Sequence, residues 1–116
     1  MPDISRELVA ASSRPLVLSI LSEGESYGYA IIQRVGELTG GKLQWTEGML
    51  YPVLHKLEKE GLIVAEWQQP EGERKRKYYR LNENGKTMLE KQRSDWSTVN
   101  AALNQLWKGN QKRCFS

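Results

Sequence analysis

The sequence predicts a mainly α-helical domain with one small β-hairpin, an α+β fold, that ends in a single long helix. Three patterns predict it. Apolar residues recur at helical spacing in three consecutive N-terminal segments, and two stretches alternate like strands on either side of Pro70-Glu71-Gly72-Glu73. Beyond the second stretch, an apolar seam steps by three and four from Leu89 to Leu106. A chain of 116 residues is one domain by length, small enough for a partner chain to supply much of the burial.

The segment Ile4 to Leu21 has the first helical pattern, with Leu8, Ala11, Leu16, Leu18 and Leu21 as candidates for burial. Pro15 either kinks it or starts a second piece capped by Ser12 or Ser13, because proline is tolerated in a first turn. After Ser22-Glu23-Gly24, a second helix starts past Ser26, which can cap it. It presents Tyr27, Ala30, Ile31, Val35 and Leu38 at helical spacing, and Gly40 and Gly41 close it. Lys42 to Trp45 is a brief extended link.

The third helix, Thr46 to Gly61, organises the rest. Thr46 can cap it, Glu47 sits where the helix dipole favours an anion, and Gly61 supplies the stop. Leu50, Val53, Leu54 and Leu57 form its apolar stripe, while Tyr51, Pro52, His55, Lys56 and Lys59 occupy the other face. Pro52 costs a backbone hydrogen bond and crowds Gly48, at about 3 kcal/mol in an ordinary helix interior. Helix stability alone selects neither residue. They fit either a surface shaped for close approach by something large or a local kink against a neighbouring helix. A short glycine-rich connection before a capped helix is what a helix-turn-helix requires.

Leu62 to Gln69 reads as a strand with Ile63, Ala65 and Trp67 on one face, and Arg76 to Leu81 alternates Lys77, Tyr79 and Leu81 against Arg76, Tyr78 and Arg80. A hairpin following directly on the third helix of a trio is the wing of a winged helix. Its tip and second strand hold Arg74, Lys75, Arg76, Lys77 and Arg80, a cluster that attracts a polyanion although the net charge is only +3. Asn82 or Asn84 caps the last helix, expected from about Glu83 to Trp107, roughly 24 residues and about 36 Å long. Its seam of Leu89, Gln92, Trp96, Val99, Leu103 and Leu106 exceeds what so small a domain can cover, which predicts a homodimer packed across a two-fold axis. The expected organisation is residues 1–82 as the winged domain, with the N-terminal helix near the dimer interface, 83–108 as the dimerisation helix and 109–116 as a flexible basic tail.

Composition narrows the chemistry. The longest apolar run, Leu16 to Leu21, is too short to span a bilayer and contains Ser19, and no signal-peptide pattern precedes it, so a cytoplasmic protein without membrane contact is expected. One histidine, His55, and one cysteine, Cys114, leave histidine triads and the usual zinc sites without their parts. No paired carboxylates or activated nucleophile suggests an enzyme, and no cofactor is expected.

The runs Leu16 to Ile31 (LVLSILSEGESYGYAI), Thr46 to Ile63 (TEGMLYPVLHKLEKEGLI) and Glu73 to Lys86 (ERKRKYYRLNENGK) together resemble the PadR family of bacterial winged-helix transcriptional repressors. The likeness covers residues 14 to 107 in register, and the single C-terminal helix resembles the family's short subgroup, which includes multidrug-responsive repressors. The resemblance implies a homodimeric repressor that binds a roughly palindromic double-stranded operator and releases it when a small effector binds. It implies that Thr46, Glu47, Gly48, Tyr51, Pro52, His55 and Lys56 face the major groove or flanking phosphates. The wing it implies runs from Gln69 to Tyr78, with Lys75, Arg76 and Lys77 reaching phosphates or the minor groove and Tyr78 counted among the DNA-binding residues.

Trp96 has two readings. A seam tryptophan facing its two-fold mate can sandwich a flat aromatic molecule, or it can simply fill the dimer core. Likeness to the multidrug-responsive subgroup adds Leu89, Arg93, Val99 and Asn100 as pocket lining. Arg93 and Asn100 bring no negative charge, so a preference for cationic drugs is not implied. The competing class is a winged helix used only for protein contacts, which the polar face bearing His55 and Lys56 disfavours.

Overall fold

The computed structural model describes residues 4–115, with side chains described through residue 109, so the side chain of Cys114 lies outside the described residues. Helix α1 (Arg6–Ser22) is capped by the Ser5 hydroxyl, which accepts from the Leu8 amide at 3.2 Å. The helix runs unbroken through Pro15, so no second piece starts there. Ser12 and Ser13 hydroxyls instead donate back to the Val9 and Ala10 carbonyls at 3.2 and 2.9 Å. Leu8 and Ala11 are exposed, contrary to expectation. Val9, Leu16 and Ile20 define the inward stripe, and Leu8 lies one position round the helix from it.

Ser26 caps nothing. It belongs to a two-residue strand, β1 (Ser26–Tyr27), and helix α2 (Gly28–Leu38) begins one residue later than expected, with no side-chain cap. The sequence pattern misses this strand because two residues carry no alternation. Gly40 and Gly41, at φ of 60° and 81°, make the left-handed turn that ends α2. The following link is part of the core, since Leu43 and Trp45 are buried, Trp45 to 5% exposure.

Helix α3 (Glu47–Lys59) has the expected cap, with Thr46 Oγ1 accepting from the Met49 amide at 3.3 Å. Leu50, Leu54 and Leu57 enter the core. Strands β2 (Ile63–Gln68) and β3 (Arg76–Leu81) pair antiparallel from Ile63↔Leu81 to Gln68↔Arg76. β1 joins the other edge of β3, giving the order β1-β3-β2.

Helix α4 is Glu83–Phe115, 33 residues and about 50 Å at 1.5 Å per residue. It continues past Trp107, where the sequence suggested a flexible tail. Nothing in 108–115 is a proline, and lysine, glutamine and arginine are good helix formers, so the single Gly109 does not stop it. Its start packs on the domain. Leu89 lies at 6% exposure in the same core as Val17, Leu18, Ile31, Val35, Ile63 and Tyr79, while the rest of α4 extends beyond, which makes the molecule 63 Å long. No helix among the described residues is long and apolar enough to cross a membrane.

Candidate nucleic-acid interface and effector cleft

Burial of Leu50, Leu54 and Leu57 leaves the opposite side of α3 to solvent. Thr46, Glu47, Gly48, Tyr51, Pro52, His55 and Lys56 are all exposed there or on its flanks. Beyond Thr46 Oγ1 at 3.7 Å, nothing occupies the space a Cβ at Gly48 would meet, so the first turn is an open, low-relief surface. Tyr51 is less free than its position suggests. A Cβ placed on Gly28 would lie 2.9 Å from the Tyr51 hydroxyl oxygen, so the absent side chain at the start of α2 is what lets the phenol lie where it does.

Strand alternation divides the wing's cations between two faces. Arg76 and Tyr78 lie on the outer face with Tyr27. The Arg76 guanidinium stacks on the Tyr27 ring at 4.5 Å, the two tyrosine rings meet edge to face at 5.3 Å, and Arg76 pairs with Glu73 at 3.3 Å. Lys75 and Lys77 lie on the other face, toward α3, where Lys77 Nζ approaches Glu58 of α3 at 3.9 Å. Lys75 Nζ stands 5.6 Å over the ring of Trp67, which is 59% exposed. The four wing residues expected to act together therefore form two groups. Of the four, Lys75 and Lys77 are on the sheet face toward α3.

Beneath Lys77, Tyr79 is the wing's anchor, at 3% exposure. Burial, reinforced by Tyr51 and the Glu58 carboxylate, pushes its phenol up to about 12.

Three of the five residues expected to line a pocket border one cleft. An open cleft of about 550 Å³ lies between α1 and α4, bordered by Trp96, Arg93 and Asn100 from α4 and by Pro15 and Ser19 from α1. The two α1 residues were invisible to a reading confined to one helix. Leu89, expected as pocket wall and interface, is a core residue of its own chain. What surface it keeps opens on a separate hollow with Arg80, Lys86 and Arg93. Val99 is exposed and does not border the Trp96 cleft. Of the remaining seam, Gln92, Trp96 and Leu103 are half-buried, whereas Val99, Leu106 and the adjacent Trp107 are exposed. Among the described residues no three histidine, cysteine, aspartate or glutamate side chains cluster as metal ligands.

Comparison with known proteins gives the same architecture. The sequence model of the Transcriptional regulator PadR-like family matches residues 17–91. A transcriptional regulator from Clostridium thermocellum superposes with a TM-score of 0.79 at 27% identity, over 88% of this chain and 96% of that one. A PadR family transcription regulator from Clostridium difficile gives 0.73 at 32% identity, over 82% and 97%. The transcriptional regulator Rv3488 of Mycobacterium tuberculosis is 34% identical over 88 residues, 76% of this chain and 78% of its own length.

Proposed function

Since the chain belongs to the PadR-like family of transcriptional regulators, whose members are not enzymes, we propose that it is a homodimeric repressor released from its operator by a small planar ligand. The observation that carries the DNA-binding part is the adjacency of two features. The Lys75/Lys77 side of the hairpin adjoins α3, where Lys77 Nζ lies 3.9 Å from Glu58, so the wing's lysines stand beside the helix that carries the exposed polar residues. A helix entering the major groove and a strand pair reaching the adjacent phosphates need that arrangement. Gly48 and Pro52 keep side-chain bulk away from the duplex at the helix start.

Dimerisation is supported by α4. Val99, Leu106 and Trp107 leave apolar surface exposed on a helix that projects beyond its own domain, and a second copy packed there by two-fold symmetry covers it. Two α3 helices held by one α4 pair must match half-sites about one DNA turn apart, roughly 34 Å. The ligand site is the α1–α4 cleft. The half-buried Trp96 indole offers a stacking surface, and Arg93 with Asn100 offers donors to a neutral or anionic aromatic.

A gel shift of the pure protein against the DNA upstream of its own gene tests the first part. A discrete complex that resists competition by a scrambled duplex supports it, and equal binding to both duplexes overturns sequence-specific reading. Fluorescence titration of wild type and Trp96→Ala with planar aromatics tests the second. The ligand reading requires quenching that disappears in the variant and ligand-dependent loss of the shifted band.

A further inference from the structure

Trp67 has no role in the fold that accounts for its position. It is 59% exposed near the end of β2, its strand neighbours Glu66 and Gln68 are polar, and its cross-strand partner is Lys77. An isolated exposed aromatic is ordinary on a protein surface. Trp67 is not isolated in kind. It stands on the same sheet face as Lys75 and Lys77, the face turned toward α3, and Lys75 Nζ lies 5.6 Å over its ring. An indole with one ammonium group over its ring and a second lysine as its cross-strand partner cannot serve as the core of an apolar protein contact without desolvating charge. The same grouping suits a polyanion that also presents flat or apolar edges, because the ammonium groups meet phosphates while the ring meets sugars and bases. Trp67 also lies four residues along β2 from Ile63, whose partner Leu81 precedes α4. That is about 13 Å at 3.3 Å per residue, so the indole is at the end of the hairpin far from the proposed dimer helix.

We infer that Trp67 is a DNA-contacting residue of the wing. Its indole lies against the deoxyribose and base-edge wall of the groove next to the one that α3 enters, and Lys75 holds its orientation while bonding the neighbouring phosphate. The inference rests on the DNA-binding reading above and adds to it a contact that carries no charge. An indole displaces no counterions, so it contributes affinity without contributing to the salt dependence, unlike Lys75.

The test uses the whole chain with Trp67→Ala, Trp67→Phe and Lys75→Ala against the upstream DNA and a scrambled duplex, over a range of salt. Trp67→Ala is expected to bind about tenfold more weakly with an unchanged salt slope, and Trp67→Phe to keep most of the affinity. Tryptophan quenching on addition of DNA should fall sharply in Trp67→Phe. Because the side chain is exposed, unchanged circular dichroism and melting are expected for both variants. Wild-type affinity in Trp67→Ala, or full quenching in Trp67→Phe, overturns this inference while leaving the parent reading intact. Failure of the wild-type protein to bind either duplex overturns both.

Discussion

The Asn82 carboxamide donates to the Gly61 carbonyl oxygen across 2.7 Å, which ties the turn ending α3 to the residue that caps α4. The oxygen of the same carboxamide accepts from the Gly85 amide at 2.8 Å, and the Asn82 amide donates to the Leu62 carbonyl at 3.2 Å. One side chain thus satisfies two backbone groups at the junction of the candidate reading helix and the candidate dimer helix. Gly61, at φ 75°, makes the turn that brings its carbonyl there.

Asn82→Ala leaves both groups without these partners at a half-buried site. Losses of about 1–3 kcal/mol are expected for such a junction. Gly85→Ala is expected to be worse, because a Cβ there would overlap the Leu62 carbonyl, which is backbone and cannot swing away. Urea unfolding of both variants checks the order. A Gly85→Ala protein as stable as wild type would contradict the packing.

Tyr79 sets the alkaline limit. Its folded phenol titrates at about 12 rather than near 10, so the unfolded chain loses its proton first as pH rises. The stabilisation is fully present below pH 10 and drains away between about 10 and 12, on the order of 3 kcal/mol in total. Melting temperature followed from pH 8 upward should show this decline in wild type and a shallower one in Tyr79→Phe.

Much of this fold was legible because period and punctuation agreed. The cap at Thr46, the stripe of Leu50, Leu54 and Leu57, and the alternation that sends Tyr79 inward each follow from residues within one element. What was not legible depends on two elements at once. Ser26–Tyr27 becomes a strand only because β3 has a free edge beside it, and Trp45 is core only because the turn folds back. The cleft residues Pro15 and Ser19 become visible once α1 lies against α4. The division of Arg76 and Tyr78 from Lys75 and Lys77 is different in kind, since alternation alone puts strand neighbours on opposite faces and the sequence already contained it.

Lys75→Ala and Lys77→Ala should each weaken binding to any duplex. A lysine that neutralises one phosphate contributes about 0.9 to the slope of log affinity against log salt, so each variant should flatten it by roughly one. Lys75 is expected to show the fuller effect, because Lys77 already has Glu58 at 3.9 Å to neutralise. An unchanged slope in both would remove the phosphate clamp.

Gly28→Ala separates stability from DNA contact. The new methyl meets the far end of the Tyr51 side chain, a group able to rotate away, so the cost to folding should be small. The rotation displaces the phenol across the candidate DNA face. Expected is a several-fold change in operator affinity with a melting temperature near wild type. In a Tyr51→Ala background, where no phenol remains to be displaced, adding Gly28→Ala should leave operator affinity where it was.

A ligand bound at the proposed cleft site would have a path to α3 that runs through α1. Pro15 and Ser19 of α1 border the cleft, and the residue next to Pro15 makes the link. Arg14 forms a two-pronged ion pair with Glu60 at the C-terminal end of α3, at 2.9 and 3.0 Å. Hydrogen bonding from Arg14 holds the Glu60 carboxyl below its ordinary value. Both side chains are partly solvated, so the pair adds little to stability. Its geometry matters more, because it fixes α1 to the helix that is proposed to read DNA. A ligand alters DNA affinity only by binding the two arrangements unequally, and reciprocity requires DNA to alter ligand affinity by the same factor. Arg14→Gln should therefore leave each separate affinity nearly unchanged while bringing that factor toward one. The measurement is a four-cornered cycle in which operator affinity is determined with and without a planar aromatic ligand, for both proteins. If the factor survives in Arg14→Gln, occupancy of the cleft reaches α3 through the α4–Asn82–Gly61 junction instead, and Asn82→Ala becomes the variant that must uncouple it.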